Sequence, residues 1–314
     1  MTLTITDMTV AYGDRVVLEN ISFTLNNGQI IGLVAPNGTG KTTLFNAIMR
    51  FIPVRSGTIE VDGTAYSAKD KDVLALHKLI TFFPNQADLH ENFSGTEHIQ
   101  MYADMWSGKR DQVQAIIKRL EMEDYVDRKV STYSLGMRQR LCFAMVVAAD
   151  TPIMFMDEVM NGLDPENVSL VSDILIDLRR DGKIIMVASH LLDNLDEYAD
   201  KVFFLKDKQL HFVFDHHVDK IDYFKLMCTQ KQTEKLEESI ALPEGTMHLG
   251  NSMLCIPLET LNEKEQLALY QMIRQMKDGA LTVGPLGTGE YYSHLYGLEL
   301  HSYDRGHEHE TEPV

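Results

Sequence analysis

The feature that most constrains this chain is a glycine-rich loop between a short apolar segment and a helical one. Residues 29–35 have the pattern of a buried strand, residues 36–40 form the loop, and residues 41–50 have a helical pattern. Glycines let the backbone wrap closely, so that successive N–H groups and the start of the helix point at phosphates. Lys41 adds a positive charge for the β- and γ-phosphates, and the Thr42 hydroxyl suits Mg²⁺. The sequence therefore predicts a P-loop.

A second apolar segment ends in two acids. Residues 153–156 have the pattern of a strand, and Asp157 and Glu158 follow it directly. Carboxylates at a strand end are costly to bury without a partner, so they face solvent or a cation. In a chain that also has a P-loop, we expect Asp157 to bind Mg²⁺ and Glu158 to act as the base that polarises the attacking water.

Three further motifs stand in a fixed order around these acids. The segment 133–141 contains Ser134, which lies 23 residues before Asp157. The segment 161–165, Asn-Gly-Leu-Asp-Pro, follows the acids at once. His190 comes 33 residues after Asp157, just past an apolar strand pattern at residues 184–188. Several ordered motifs make a chance agreement very unlikely.

With these motifs the chain resembles the nucleotide-binding subunit of an ABC transporter, in particular the ATPases of bacitracin-type and lantibiotic-type exporters. The resemblance covers residues 1–215 strongly and the rest only loosely. It implies an α/β fold, the P-loop NTPase cassette: a mainly parallel sheet, an antiparallel β subdomain and a helical subdomain at about residues 87–149. We expect a small α+β accessory domain at residues 216–314, with a disordered tail at 306–314.

The resemblance also implies roles for individual residues. Glu158 and His190 are the catalytic pair, and His190 is the switch histidine that contacts the γ-phosphate and orients water. Mg²⁺ is expected at Thr42, Asp157 and Gln86. The residues expected to bind ATP are Tyr12, Asn37, Gly38, Thr39, Gly40, Lys41, Thr42, Thr43, Asn85, Gln86, Ser134, Gly136 and Asp164.

Some of these roles involve a second subunit. Tyr12 matches the aromatic residue that stacks on adenine, since every base has a flat face on which an aromatic ring can stack. Ser134 and Gly136 match the signature positions that bind the γ-phosphate of an ATP held by the opposite subunit. Asp164 matches the loop that communicates across the dimer. The expected partners are therefore a second ATPase subunit, either the same chain or a related one, and integral membrane permease subunits.

The chain departs from the family pattern at three places. Ala35 stands where the P-loop usually opens with glycine, and Leu135 and Met137 replace the usual glycine and glutamine of the signature. At the position of the usual glutamine of the next motif the chain has Asn85, with Gln86 one residue later. Both amides offer a carbonyl oxygen to Mg²⁺ and water, so both stay candidates. Because Glu158 and His190 remain, we expect hydrolysis to be retained.

The coarse pattern of the rest is strands alternating with helices. Strands are predicted at 16–18 and 21–25, 153–156, 184–188 and 202–205, and helices at 96–106, 111–121, 136–149 and 166–180. After residue 215 we predict an irregular helix at 221–240, a strand at 253–257, and helices at 262–277 and 291–300.

Composition limits the classes of partner. Lysine and arginine total 29 against 46 acidic residues, which gives a formal charge of −17, so no nucleic acid partner is expected. Three widely spaced cysteines predict buried or unreactive thiols in a reducing compartment. No apolar run approaches the length of a membrane span. The expected location is the cytoplasmic face of the cell membrane, by docking on permease subunits.

Two alternative functions stay open. One is a soluble ABC-type ATPase that acts on ribosomes or nucleic acid, and another is a nucleotide-gated binding module that does not hydrolyse ATP, against which Glu158 and His190 argue. For the accessory domain we expect a regulatory or dimer-stabilising role. A metal site in the tail, at His301, His307, Glu308 and His309, is the weakest hypothesis, because polar tails are usually just solvated.

Overall fold

The computed structural model divides into two compact units, Met1–Phe214 and Asp215–Val314. The structure describes residues 1–215, 221–239, 242–249, 253–275 and 280–297. The tail at 306–314 and the candidate metal ligands His301, His307, Glu308 and His309 therefore lie outside the described residues. Within the described residues, no group of three or more His, Cys, Asp or Glu side chains is placed to hold a metal ion.

The first unit contains two sheets. An antiparallel sheet has the strand order β2-β1-β4-β5, and a six-stranded sheet has the order β10-β9-β3-β8-β7-β6. In the second sheet, β9, β3, β8, β7 and β6 run parallel. The strands are β1 (Thr2–Tyr12), β2 (Arg15–Asn26), β3 (Gln29–Val34), β4 (Ser56–Val61), β5 (Thr64–Ala65), β6 (Ile80–Phe82), β7 (Ile153–Asp157), β8 (Ile184–Ala188), β9 (Lys201–Lys206) and β10 (Gln209–Asp215).

Three strands of the six-stranded sheet, β3, β7 and β8, are buried along almost their whole length. Their sequences are therefore nearly continuous apolar runs, as is usual for parallel strands that are covered on both faces.

Helices follow or connect the strands of this unit. The segment between β6 and β7 forms the helical subdomain, in which α3, α4 and α5 pack together. The helices of this unit are α1 (Lys41–Ile48), α2 (Asp70–His77), α3 (Gly95–Met105), α4 (Val113–Arg119), α5 (Leu135–Ala149), α6 (Pro165–Arg180) and α7 (Leu192–Tyr198).

One prediction for this unit needs correction. The sequence predicted separate strands at 16–18 and 21–25, but both belong to the continuous strand β2. Asn20 has a φ of +52°, and the register against β1 shifts there, since Met8 pairs with Ile21 and Val10 with Leu18. Glu19 and Asn20 therefore form a bulge within one strand and not a turn between two strands. A polar pair that contains an asparagine suits a bulge and a turn equally well, because asparagine tolerates a positive φ.

The second unit has the order β-α-β-β-α-β followed by one more helix. Its antiparallel sheet has the strand order β12-β13-β11-β14, which is the ferredoxin-like arrangement. Helices α8 and α9 contribute to the core on one face, and Tyr291 of α10 packs against the cluster on the other. The elements are β11 (Asp222–Met227), α8 (Gln230–Ser239), β12 (Met247–Leu249), β13 (Met253–Pro257), α9 (Glu263–Gln275), β14 (Ala280–Pro285) and α10 (Thr288–Tyr296).

The helix predicted at 221–240 is therefore wrong over its first part. Residues 222–227 form the central strand β11, in which Phe224 and Leu226 face one side of the sheet and Tyr223 the other. A short run of apolar residues fits a strand and a buried helix equally well by periodicity. The strand is decided by its antiparallel pairing with β13 and β14 on its two sides.

All three cysteines, Cys142, Cys228 and Cys255, are buried and none is in a disulfide. Burial raises the pKa of the Cys142 and Cys255 thiols to about 12. Both thiols are therefore protonated at neutral pH, and only a thiolate is a strong nucleophile. This agrees with the prediction of unreactive thiols.

Candidate active site

The P-loop connects the end of β3 to the start of α1. Gly38 has a φ of +78° and Gly40 a φ of +119°, a backbone conformation that other residues rarely adopt. A Cβ atom on Gly40 would also lie 3.2 Å from side-chain atoms of both Val17 and Leu18. Thr39 Oγ1 donates to the Pro36 carbonyl at 2.7 Å and closes the loop. The glycine positions are therefore required by the loop geometry.

Lys41 lies inside the loop that it follows. Its Nζ donates to the Ala35 carbonyl oxygen at 2.6 Å, and the side chain is only 6% exposed. Burial lowers the pKa of the Lys41 ammonium, and the nearby carboxylates of Asp157 and Glu158 act in the opposite direction. A buried positive charge at the start of a helix is what a polyphosphate anion requires.

Thr42 and Asp157 meet at the carboxyl ends of β3 and β7. Thr42 Oγ1 donates to Asp157 Oδ2 at 2.6 Å. Burial raises the pKa of the Asp157 carboxyl, although the Thr42 hydrogen bond and the Lys41 charge oppose this. The neighbouring groups do not fully compensate for the burial of the Asp157 carboxylate. Together with the Thr42 hydroxyl it offers the oxygen ligands that Mg²⁺ prefers. The residues present therefore fit a magnesium ion.

Glu158 is held in an unusual backbone conformation. Its φ is +55°, and its N–H donates to the carbonyl of Ala188 at the end of β8, at 2.8 Å. Its side chain lies 2.7 Å from His190 Nε2 and also accepts from Asn161 Nδ2 at 2.5 Å. Because β7 and β8 are parallel neighbours, their ends bring Glu158 and His190 together across 32 residues of sequence.

The two amides at positions 85 and 86 have different contacts. Asn85 is exposed, and its Oδ1 accepts from Ala87 N at 2.9 Å, so it caps its own turn. Gln86 is half-buried and donates from Nε2 to Oε1 of Gln139 on α5. Gln139 in turn donates to the carbonyl oxygens of Glu158 and Val159, both at 2.8 Å. Of the two candidates, Gln86 is the one that is connected to the acidic strand end.

Sequence reasoning did not single out Gln139. It is 3% exposed and lies on α5, in which the half-buried Arg140 follows it and the next three residues, Leu141, Cys142 and Phe143, are fully buried and apolar. A single amide side chain close to a buried apolar run is the sequence signal here, because a buried amide needs a hydrogen-bond partner inside the protein.

Comparison with known proteins identifies the family. The family model described as "ABC transporter" matches residues 18–161. The manganese transport system ATP-binding protein MntB of Bacillus subtilis is 30% identical over 216 residues, 66% of this chain and 84% of the relative. This chain belongs to the ABC transporter ATP-binding protein family. Like other members it is an ATPase that binds and hydrolyses ATP.

Two other similar proteins agree with this result, one in sequence and one in fold. The lantibiotic transport ATP-binding protein SrtF of Streptococcus pyogenes is 26% identical over 208 residues, 66% of this chain and 88% of the relative. A bacterial ABC transporter cassette solved as a dimer has a TM-score of 0.62 at 22% identity, over 68% of this chain and 98% of that one. The family and the cassette fold predicted from the motifs are thereby confirmed.

The signature motif of this ABC cassette begins helix α5. Ser134 is the N-cap residue, and its hydroxyl accepts from Met137 N at 3.3 Å. A Cβ atom on Gly136 would lie 3.4 Å from the Gly162 carbonyl oxygen, so the signature turn packs against the loop after the acids. Leu135, in the position of the usual first glycine, is 62% exposed and needs no space inside the protein. This explains how the fold accommodates the larger residue.

The remaining predicted ATP contacts of the cassette are exposed or half-buried. Tyr12 ends β1, pairs with Arg15 and has 54% of its area exposed. Asn37 is exposed in the P-loop, and Thr43 is half-buried in the first turn of α1. Asp164 is the N-cap of α6, where it accepts from Asn167 N at 2.9 Å, and this bond is the main reason why the pKa of Asp164 is lowered. Their roles toward ATP stay predictions.

Within the part of the chain that the structure describes, no helix is both long enough and apolar enough to cross a bilayer.

Proposed function

We propose that this ABC ATPase hydrolyses Mg²⁺-ATP between two ATPase subunits and that this drives export through separate membrane subunits. The observation that carries the hydrolytic part is one constellation at the carboxyl ends of β3, β7 and β8. There the Lys41 ammonium and the Thr42–Asp157 pair lie near the Glu158–His190 pair. Ligands of open α/β sheets bind at this edge.

Each residue of the constellation has a definite task in this proposal. Lys41 binds the β- and γ-phosphates, and Glu158 takes the proton of the attacking water while His190 orients that water and contacts the γ-phosphate. Thr42, Asp157 and the carbonyl oxygen of Gln86 would hold Mg²⁺, which supplies positive charge to the phosphate oxygens. Gln86 suits this role better than Asn85, because the Asn85 carbonyl oxygen already caps its own turn.

The second half of each site comes from another subunit in this proposal. Ser134 and Gly136 begin a helix of 15 residues, whose N–H groups and dipole favour an anion at its start. Tyr12, 54% exposed, offers its ring to adenine. The test is sedimentation of the Glu158→Gln protein with and without Mg²⁺-ATP. A dimer formed only with nucleotide supports the proposal, and a monomer under both conditions contradicts it.

The relatives' names support a role in transport, whereas the membrane partners and the direction of transport are proposed from the family resemblance. SrtF is named for lantibiotic transport and MntB for manganese transport, so transport is common to both, and the exporter reading follows the resemblance to lantibiotic-type ATPases. We would purify the tagged chain from detergent-solubilised native membranes and identify its partners by mass spectrometry, with the tag alone as control. Recovery of a multi-span protein supports the proposed location at the membrane, for which the resemblance implies the cytoplasmic face. A second ATPase chain would indicate a heterodimer.

The alternative of an ABC ATPase acting on ribosomes or nucleic acid is less well supported. The chain carries a formal charge of −17, whereas binding to phosphate backbones depends on positive charge. Co-sedimentation with ribosomes at physiological salt, without any membrane partner in the purification, would favour this alternative.

The C-terminal unit is proposed to regulate or stabilise the dimer. Its own core, formed around β11, and its ferredoxin-like topology are consistent with an independent module. Removing residues 216–314 should then change nucleotide-dependent dimerisation or the rate of ATP hydrolysis. Unchanged values of both in a folded truncated protein would contradict this role.

A further inference from the structure

The side chain of Gln139 connects two parts of the site that are far apart in sequence. Its Nε2 donates to the carbonyl oxygens of Glu158 and Val159, each at 2.8 Å. Its Oε1 accepts from Gln86 Nε2. An amide group has two N–H donors, so both are used on consecutive peptide groups of the segment that carries the catalytic acid. Gln139 is 3% exposed, so water has little access to replace these bonds.

The segment that Gln139 holds is one that needs support. Glu158 has a φ of +55°, a conformation that a residue other than glycine keeps only when its surroundings impose it. This conformation turns the Glu158 side chain toward His190, 2.7 Å away, and toward Asn161. Two hydrogen bonds to the peptides that directly follow Glu158 fix the orientation of those peptides and thereby restrict the direction of its carboxylate.

The hydrogen bond from Gln86 connects Gln139 to a second part of the site. Gln86 lies in the short turn after β6, whereas Gln139 lies in the first half of α5, the helix that begins with the signature Ser134. A movement of the Gln86 side chain therefore acts on the same amide that holds the Glu158 peptide. Since the amide is buried and cannot exchange its partners for water freely, such a movement changes the support of Glu158 directly.

We infer that Gln139 is a positioning residue of this ATPase, which orients the peptide that carries Glu158 and couples that orientation to Gln86. Gln139 itself touches no nucleotide in this inference. The inference rests on the proposed role of Glu158 as the general base.

The first test is Gln139→Glu, which keeps the length of the side chain and replaces the donor nitrogen by an oxygen facing two carbonyl oxygens. We expect kcat for ATP hydrolysis to fall by about 10- to 100-fold, because small misplacements of a catalytic group cost this much. The KM for ATP should change by less than about twofold, because the Gln139 side chain makes no contact with ATP. The matched control is Gln114→Glu on the exposed side of α4, which should leave both constants unchanged.

The coupling to Gln86 is tested with a double-mutant cycle. If one amide connects both residues, the loss of kcat in Gln86→Ala combined with Gln139→Glu is smaller than the product of the two separate losses. Losses that multiply would overturn the coupling. An unchanged kcat in folded Gln139→Glu, checked by circular dichroism, would overturn the positioning role.

A buried substitution can prevent folding, so a second measurement leaves Gln139 in place. In Gln86→Ala the contact to Gln139 is lost, and we expect faster amide hydrogen exchange in residues 158–162 than in the wild type. Equal exchange rates there would overturn the inference. If Glu158→Gln leaves kcat unchanged, the proposed function itself fails. If Glu158→Gln lowers kcat but the Gln139 variant does not, only this inference fails.

Discussion

The imidazole of His190 lies 2.7 Å from the carboxylate of Glu158, at the ends of two neighbouring parallel strands. The pairing defines the position of the carboxylate, because Asn161 Nδ2 contacts its other oxygen at 2.5 Å. A carboxylate held by two partners and directed to the edge of the sheet is suited to take a proton from a water molecule.

Glu158→Gln should therefore abolish most ATP turnover. We expect the rate of phosphate release to fall by about 10²- to 10⁴-fold, the usual effect of losing a general base. ATP binding should be retained, since the amide has the same shape. The control is Glu166→Gln, an exposed residue in the first turn of α6, which should keep wild-type turnover. Normal turnover in Glu158→Gln would exclude Glu158 as the base.

Lys41→Met should weaken ATP binding without weakening the fold. Hydrogen bonds to charged groups contribute about 1.5–3 kcal/mol, so the Kd for ATP measured by calorimetry should rise about 10- to 100-fold. Met cannot replace the hydrogen bond from Nζ to the buried Ala35 carbonyl, but it also removes a buried ammonium whose pKa is lowered by that burial, and because these effects oppose each other the Tm should change little. Lys118→Met, at an exposed position of α4, serves as control. An unchanged Kd would remove Lys41 from the phosphate site.

Asp164→Ala should destabilise the start of α6. The carboxylate accepts from the backbone N–H of Asn167, and losing such a cap should lower the Tm of the protein by about 2–4 °C. Asp164→Asn keeps the acceptor oxygen and is expected to keep the Tm. Thermal denaturation followed by circular dichroism distinguishes the two. Equal Tm values for Asp164→Ala and the wild type would mean that this cap is not needed.

His98 should make the protein less stable in mild acid. The side chain is buried; Nδ1 donates to the Ser94 carbonyl at 2.8 Å, and Nε2 accepts from His90 N at 3.0 Å. Burial lowers the pKa of His98, so the folded protein binds its proton less readily than the unfolded chain. The contribution of neutral His98 to the free energy of unfolding is fully present above about pH 6.5, the pKa of histidine in the unfolded chain. It is lost as the pH falls through the lower pKa that His98 has in the folded protein.

The measurement is urea unfolding at several pH values between about 5 and 7.5. The free energy of unfolding should decrease by at most about 1.4 kcal/mol per pH unit from this one group. In His98→Gln, whose amide offers both a donor and an acceptor, the decrease should be smaller. The exposed residue His294, on α10, gives the control, since His294→Gln should keep the full decrease. The same slope in both variants would contradict the prediction.

The motifs around the site follow local rules, and the sequence therefore predicted them well. Gly38 and Gly40 are required by backbone angles at those positions, and an apolar strand ending in Asp157 and Glu158 is read from neighbouring residues alone. Outside the motifs the same approach was less successful. Residues 222–227 have no local feature that separates a strand from a helix, and only pairing with β13 and β14 decides between them.

The sequence by itself determined the family, the cassette fold and the candidate residues, because a strand, a glycine loop and a helix in order leave the backbone few choices. The tertiary structure decided which side chains meet. It separates Asn85, which caps its own turn, from Gln86, which contacts Gln139, and it brings that buried amide to the carbonyl of Glu158. The Gln139–Glu158 contact joins residues that are 19 positions apart in the sequence, and the Gln86–Gln139 contact joins residues that are 53 positions apart. Such contacts depend on how helices and strands pack, and no spacing along the chain encodes that packing.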